Sequence, residues 1–326
     1  MKKVAAFFET DWVFGKIHYE MARAIYPHVQ MDLLDWRVAW PPAIFPKCIE
    51  KYDYFMSTPQ GCDVLYHDYD VPLEKLIGIT HGQQDPHTLR HKKRAKFYSD
   101  KSPAISENKL VNGIAGWAVV CDHLGDYLKN ESKHGRPATT LPIGVCVDNY
   151  KRRGRNPELK VVGNFGCQTR MESNYNLEII DTKRGYIAQS IAETSGLYYL
   201  GGDALGTPRI PWQVSESMYE TVDIHVFTST TEGNPMGLIE SAACGIPTIG
   251  PRVGIMDEAI DAGFGFEIPL KDEDKMVADG VKIIEHLKNN PSCYQDASDR
   301  AYEWARSTRD WKQVAPTWIS YFNNPK

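Results

Sequence analysis

Two spacings of hydrophobic residues alternate along this chain. Short apolar runs of strand length are followed by stretches in which apolar residues recur every three or four positions. Val4–Phe8 is the first such run, and Lys16–Ile25 the first amphipathic stretch, with Ile17, Met21, Ala24 and Ile25 on one face. Lys51–Met56, Leu76–Thr80 and Trp117–Cys121 are predicted strands, Asp122–Lys129 a helix, and Ala138–Ile143 a further short strand. The alternation then stops at Tyr150-Lys-Arg-Arg-Gly-Arg-Asn-Pro157, a charged stretch almost free of apolar side chains. Such a composition marks an interdomain linker. Beyond it the pattern restarts. Lys160–Phe165, Leu197–Leu200, Asp223–Thr228 and Pro247–Ile249 are predicted strands; Thr182–Thr194, Ser215–Glu220 and Asp272–Asn289 are predicted helices. A last helical segment, Ser298–Phe322, should kink at Pro316.

Strands alternating with helices predict parallel α/β sheets, here in two domains, 1–150 and 151–306, with a cleft between them. In such sheets ligands bind beyond the carboxyl ends of the strands. The chain's 326 residues suffice for two domains. A net charge of −5 argues against a nucleic-acid binder. No stretch has the length of a membrane span, and the short apolar run after Met1 is a first strand and no secretory signal. Seven widely spaced cysteines with no C-x-x-C pair suit reduced thiols in a cytoplasmic protein.

The chemistry concentrates in Glu232-Gly-Asn-Pro-Met-Gly-Leu-Ile-Glu240. Asn234 can cap a helix whose first position suits Pro235, and Gly245 and Pro247 end it. Glu232 then lies on the loop entering the helix and Glu240 inside it. Helix-start N–H groups attract phosphate, and two carboxylates beside them can accept from hydroxyls. That combination describes a pocket for a nucleotide sugar.

Glu232 and Glu240 with seven residues between them, followed by Ala243-Cys-Gly-Ile-Pro247 and by Val253-Gly254 leading to Glu258, resemble the GT4 family of retaining GT-B glycosyltransferases. Leu141-Pro-Ile-Gly-Val-Cys-Val-Asp148, Leu200-Gly-Gly-Asp203 and Ile79-Thr-His-Gly82 are similar to further stretches of that family. The resemblance implies two Rossmann-like domains facing a central cleft, with residues 307–326 crossing back to the first, acceptor-side domain. It implies a catalytic contact of Glu232 with the transferred sugar, and of Glu240 with the ribose. The backbone at Asn234, Pro235, Met236 and Gly237 would cradle the distal phosphate. Arg170 and Lys183 would meet the diphosphate, with Arg184 competing for the role of Lys183. Gly15, in the turn before the first helix, would allow close approach of a phosphate or acceptor. His81, at the end of a strand, would bind the transferred sugar or position the acceptor. The donor implied is a UDP- or GDP-sugar and the acceptor a glycan or other hydroxyl compound, with no metal and no other cofactor required.

Arg90-His-Lys-Lys-Arg-Ala-Lys96 is a dense basic run suited to a solvated face or to an anionic acceptor or membrane surface. Three other readings compete: a glycoside hydrolase with Glu232 and Glu240 as its carboxyl pair, a non-catalytic nucleotide-sugar binder, and a sugar-nucleotide epimerase. A dinucleotide-dependent dehydrogenase is disfavoured, because no G-x-G-x-x-G follows the first strand.

Overall fold

The computed structural model of the protein describes residues 1–11, 13–38, 45–82, 113–131, 137–153, 158–165, 171–173, 179–202 and 216–326. Every residue from Val4 to Phe8 is buried, as a strand covered on both faces by helices must be. This run forms β1 (Lys2–Phe8), with β2 (Val29–Asp35) on one side and β3 (Tyr54–Ser57) on the other. β4 (Leu76–Thr80), β5 (Gly116–Val119) and β6 (Thr139–Thr140) complete a parallel sheet in the order β2-β1-β3-β4-β5-β6. Its helices are α1 (Val13–Ile25), α2 (Phe45–Lys51), α3 (Pro59–Tyr69) and α4 (Asp122–Glu131).

The second sheet repeats this plan. It contains β7 (Val161–Phe165); β8 (Met171–Ser173) and β9 (Ile179–Asp181) form a separate antiparallel pair before α5 (Gly185–Thr194). There follow β10 (Tyr198–Gly202), β11 (Ile224–Val226), α6 (Met236–Ala243), β12 (Thr248–Gly250), α7 (Met256–Asp261) and β13 (Gly265–Glu267). The parallel order is β10-β7-β11-β12-β13. Helices α8 (Glu273–Asn289), α9 (Pro291–Trp304) and α10 (Trp311–Asn323) end the chain. Val162, Ile191, Ile224, Ile249 and Ile284 sit in one buried cluster, so α5 and α8 cover this sheet through side chains that sequence spacing places on one face.

The chain divides into two compact units, Met1–Gly144 with Val314–Lys326, and Val145–Gln313. In each, the first strand lies between the second and third in chain order. That creates a switch point beyond β1 and β3 in one unit and beyond β7 and β11 in the other. The last helix joins the first unit: Trp318 and Phe322 are fully buried, and the Trp318 indole donates to the Pro142 carbonyl at 2.8 Å.

Several elements differ from the sequence expectation. Lys51 ends α2 and the strand begins only at Tyr54. The helix drawn from Thr182 begins at Gly185, because Arg184 has left-handed backbone (φ 49°) and stands outside it. The final helical segment breaks at Asp310, after a π-helical turn at Ala305–Arg309, while α10 runs through Pro316. The cause is a competing partner: Val145 donates to the Arg309 carbonyl at 2.8 Å and accepts from the Trp311 N–H at 3.2 Å, drawing Asp310 into extended backbone. Of the charged stretch after Tyr150, residues 151–153 are described, and Arg153 is bound within the second unit. Arg153 donates its N–H to the Cys244 carbonyl, and its guanidinium donates to Asp223 at 2.7 and 2.9 Å. Among the described residues no helix is long and apolar enough to cross a membrane. The basic run 90–96 lies outside the described residues.

Candidate functional site

At the second unit's switch point two loops bring charged side chains together. The loop leaving β11 runs Phe227-Thr-Ser-Thr-Thr-Glu232 and is stitched to the loop entering α5. Thr228 donates its hydroxyl to the carbonyls of Lys183 and Arg184 at 3.0 and 2.8 Å. The Thr230 N–H donates to the Thr182 carbonyl at 2.8 Å. The N–H of Lys183 is held by Asp181 at 3.0 Å. These bonds fix the two loops side by side, and the Lys183 ammonium donates to the Glu232 carboxylate. Both side chains are largely but not wholly buried, at 20% and 16% exposure. Such a pair is partly shielded from water.

Arg184 stands next to Lys183 but points elsewhere. It is buried; its Nε donates to the Thr228 carbonyl at 2.9 Å and its Nη1 to the Leu270 carbonyl at 3.0 Å. Burial lowers its pKa, against the pull of Glu273. Of the two competing cations, Lys183 therefore faces the carboxylate and Arg184 ties loops together. Arg170 lies outside the described residues, and the strands β8 and β9 lie between it and Lys183 in the chain.

The Glu232 loop is shaped by two glycines. Gly254 has a left-handed φ of 61°, and a Cβ there would stand 2.5 Å from the Gly233 carbonyl and 3.1 Å from the Glu232 Cβ. Gly237, in the first turn of α6, lies so close to the sheet that a Cβ would meet His225 Nε2 at 2.9 Å and the Phe165 carbonyl at 3.5 Å. The helix thus begins directly over the ends of β7 and β11. His225 beneath it is neutral, its pKa pulled down to about 3 by burial. The start of α6 differs by one residue from the sequence expectation. Pro235, extended at ψ 105°, occupies the cap position, and no side chain caps the helix. Asn234 is a residue too early to reach the first-turn N–H groups. Its Nδ2 lies 3.7 Å from Met236 Sδ, and its Oδ1 is buried without a partner. The first-turn N–H groups at Met236 and Gly237 retain the usual lack of a carbonyl within the helix.

Glu240 lies one turn further on and is buried. Its two carboxylate oxygens accept from different phenols, Oε1 from Tyr150 at 2.9 Å and Oε2 from Tyr219 at 2.8 Å. Burial, followed by the nearby carboxylate, raises the Tyr219 pKa well above its usual value. Sequence reasoning did not single out either tyrosine. Glu258, on α7, pairs with Arg309.

The first unit's switch point has a different character. Phe8, Phe14, His18 and His81 form an aromatic cluster at the ends of β1 and β4. Phe8 stacks on His18 at 3.9 Å between centroids, and Phe14 lies 4.8 Å from His81. Burial lowers the His18 pKa to about 4 and drives that of His81 well below the ordinary histidine value. His18 Nδ1 lies 2.7 Å from the Phe14 carbonyl, which fixes the proton there. The Nε2 atoms of both histidines are buried without a hydrogen-bond partner. Gly15 lies inside α1. A Cβ there would stand 1.9 Å from the Thr10 carbonyl, so the glycine serves the close approach of the chain to itself.

Residues 170–304, which contain Lys183, Glu232 and Glu240, match the family described as glycosyl transferases group 1. Comparison with curated protein sequences finds no match. Among solved structures, the chain is similar to sucrose-phosphate synthase from Thermosynechococcus elongatus at TM-score 0.66 and 13% identity, over 99% of this chain and 98% of that one. It is similar to HepE from Anabaena, solved with UDP and glucose, at TM-score 0.69 and 13% identity, over 99% and 100%. A glycosyltransferase from Rickettsia africae matches at TM-score 0.64 and 10% identity, over 99% and 98%. The sequence match lies within the second unit and the likeness of fold runs along the whole chain: residues 170–304 form a glycosyl transferases group 1 domain, and the chain has the two-domain GT-B fold.

Proposed function

We propose that the protein transfers a hexose from a UDP- or GDP-sugar to a hydroxyl acceptor, with retention of anomeric configuration, as a GT4 enzyme. The observation that carries the reading is the contact of Lys183 with Glu232 beside the start of the helix that bears Glu240. A diphosphate entering there meets a cation and first-turn amides, and takes Lys183 away from Glu232. The carboxylate so released accepts from the sugar's hydroxyls, while Glu240 accepts from the ribose. Charge-assisted bonds of this kind are the stronger class. In the transition state the leaving diphosphate gains charge, and groups already positioned around it supply the rate enhancement. Arg170 adds a second cation in this reading. His81 offers a neutral imidazole to a sugar or acceptor hydroxyl in the first unit, and no metal is required.

HepE, solved in complex with UDP-glucose, and the pneumococcal transferase GtfA, solved with UDP and GlcNAc, support a nucleotide-sugar donor. The hydrolase alternative needs two carboxyl groups flanking one bond. Here Glu232 is paired with Lys183 and Glu240 is tied to two phenols, whereas each Glu240 oxygen keeps a second acceptor site for a ribose hydroxyl. The test is a transfer assay over a panel of UDP- and GDP-hexoses, with the product's anomeric proton followed by NMR. The expected product keeps the donor's configuration, and Glu232→Ala lowers kcat by about a hundredfold, the loss of roughly one charged hydrogen bond in the transition state. An inverted product, or full activity in EDTA-sensitive form only, contradicts retention or metal independence respectively.

A further inference from the structure

The Glu240 carboxylate is held more firmly than burial alone explains. Its oxygens are bound by two phenols from separate parts of the second unit: Tyr150 follows the turn Val147–Asn149, and Tyr219 opens the turn Tyr219–Thr221. One donor would satisfy a buried charge in part and leave the carboxylate free to rotate about its last bond. Two donors on different oxygens fix its plane. The phenols are themselves fixed. Tyr219 meets Phe165 edge-to-face at 4.6 Å and 70°, and Tyr150 meets Tyr219 at 6.1 Å and 66°. Phe165 ends β7, and its carbonyl abuts Gly237 at the start of α6. A single chain of contacts thus connects the helix start, the strand end and the orientation of the carboxylate.

Resting on the donor reading above, we propose that Tyr150 and Tyr219 are positioning residues that orient Glu240 toward the two ribose hydroxyls of the bound nucleotide, making the site selective for ribonucleotides. A carboxylate turned out of plane cannot accept from two adjacent hydroxyls at once, because hydrogen bonds weaken steeply as their angle closes. The two tyrosines touch Glu240 and not the reacting atoms, so their removal should change donor affinity and leave the chemical step intact.

The test is a cycle of two nucleotides and three proteins. Wild type, Tyr150→Phe and Tyr219→Phe are titrated calorimetrically with UDP and with 2′,3′-dideoxy-UDP, or with the corresponding guanosine pair if the wild type prefers GDP. The expected result is about a tenfold loss of UDP affinity in each variant, with affinity for the dideoxy nucleotide changed less than twofold. Donor KM should rise by a similar factor while kcat holds. Equal loss toward both nucleotides means that the tyrosines serve packing alone, and no loss toward either means that the carboxylate needs no clamp; each overturns the proposal. Failure of the wild type to bind any nucleoside diphosphate overturns instead the donor reading on which it rests. Should Tyr219→Phe fail to fold, Tyr150→Phe carries the same comparison.

Discussion

Two sheets of the same order end in opposite chemistry. Beyond β7 and β11 lie an ammonium paired with a carboxylate and a second carboxylate held by two phenols. Beyond β1 and β3, and the end of β4, lie stacked aromatic rings and two neutral histidines with buried Nε2 atoms. The strand order therefore determines where a ligand site forms, and the loop residues determine what it binds. In the proposed reading a diphosphate enters the charged site at Lys183, which exchanges Glu232 for phosphate. In the same reading the aromatic site takes a neutral, hydroxyl-bearing molecule, because bringing a charge there would cost desolvation without a countercharge.

The comparison can be broken first at the glycines. Gly15→Ala places a Cβ against backbone atoms of Thr10. It should destabilise the protein by about 3 kcal/mol, read as a lower urea midpoint, since backbone cannot move aside as a side chain can. An unchanged midpoint would show that the first unit's switch point is looser than its packing implies.

The histidines sharpen it next. The His18 pKa falls from 6.5 to about 4 in the fold through burial, so the unfolded chain takes up the proton first as pH drops. The stability associated with neutral His18 is complete above pH 6.5 and is lost between pH 6.5 and 4. At about 1.4 kcal/mol per pH unit this amounts to about 3 kcal/mol. Urea unfolding at pH 7, 5.5 and 4.5 should therefore show a shallower acid loss in His18→Phe, which keeps the stack on Phe8 and cannot titrate. Parallel curves would place the acid sensitivity elsewhere.

Gly254→Ala is the matching test in the second unit. Its left-handed backbone and the nearby Gly233 carbonyl should cost about 2 kcal/mol of stability, and the displaced Glu232 loop should also weaken nucleotide binding. Gly15→Ala, in the other unit, should leave that binding intact. The smallest effect is expected at Arg252, which pairs with Asp257 and Glu267 on the exposed surface. Arg252→Gln should change stability by less than about 0.5 kcal/mol and nucleotide affinity not at all.

The parts of this molecule that were legible in the sequence were those encoded locally. Leu76–Thr80 is a run of five apolar or small residues and forms the strand expected of it. Glu232 on a loop and Glu240 within the following helix were fixed by the proline, glycines and apolar spacing between them. What was not legible depends on partners distant in sequence. Arg184 and Lys183 are adjacent and alike in charge; only the carbonyls of Thr228 and Leu270 decide which is buried. Tyr150 meets Glu240 across 90 residues, and no spacing rule connects them. Pro316 is the strongest local breaker in the last helices, yet the break falls at Asp310, where a strand-like contact with Val145 outweighs local preference. Helix α3 was missed although Thr58 caps it and Pro59 opens it. Its polar composition hid the apolar stripe, and the caps were the signal that could have found it.

The most direct test of the central claim, that Lys183, Glu232 and Glu240 hold a nucleoside diphosphate, is a calorimetric titration of wild type and Lys183→Met with UDP and GDP. The account predicts saturable heat for the wild type with at least one of them, and an affinity about ten- to a hundredfold weaker in Lys183→Met, the loss of a charged contact to phosphate. Equal affinities in the two proteins, or no heat from the wild type with either nucleotide, would contradict it.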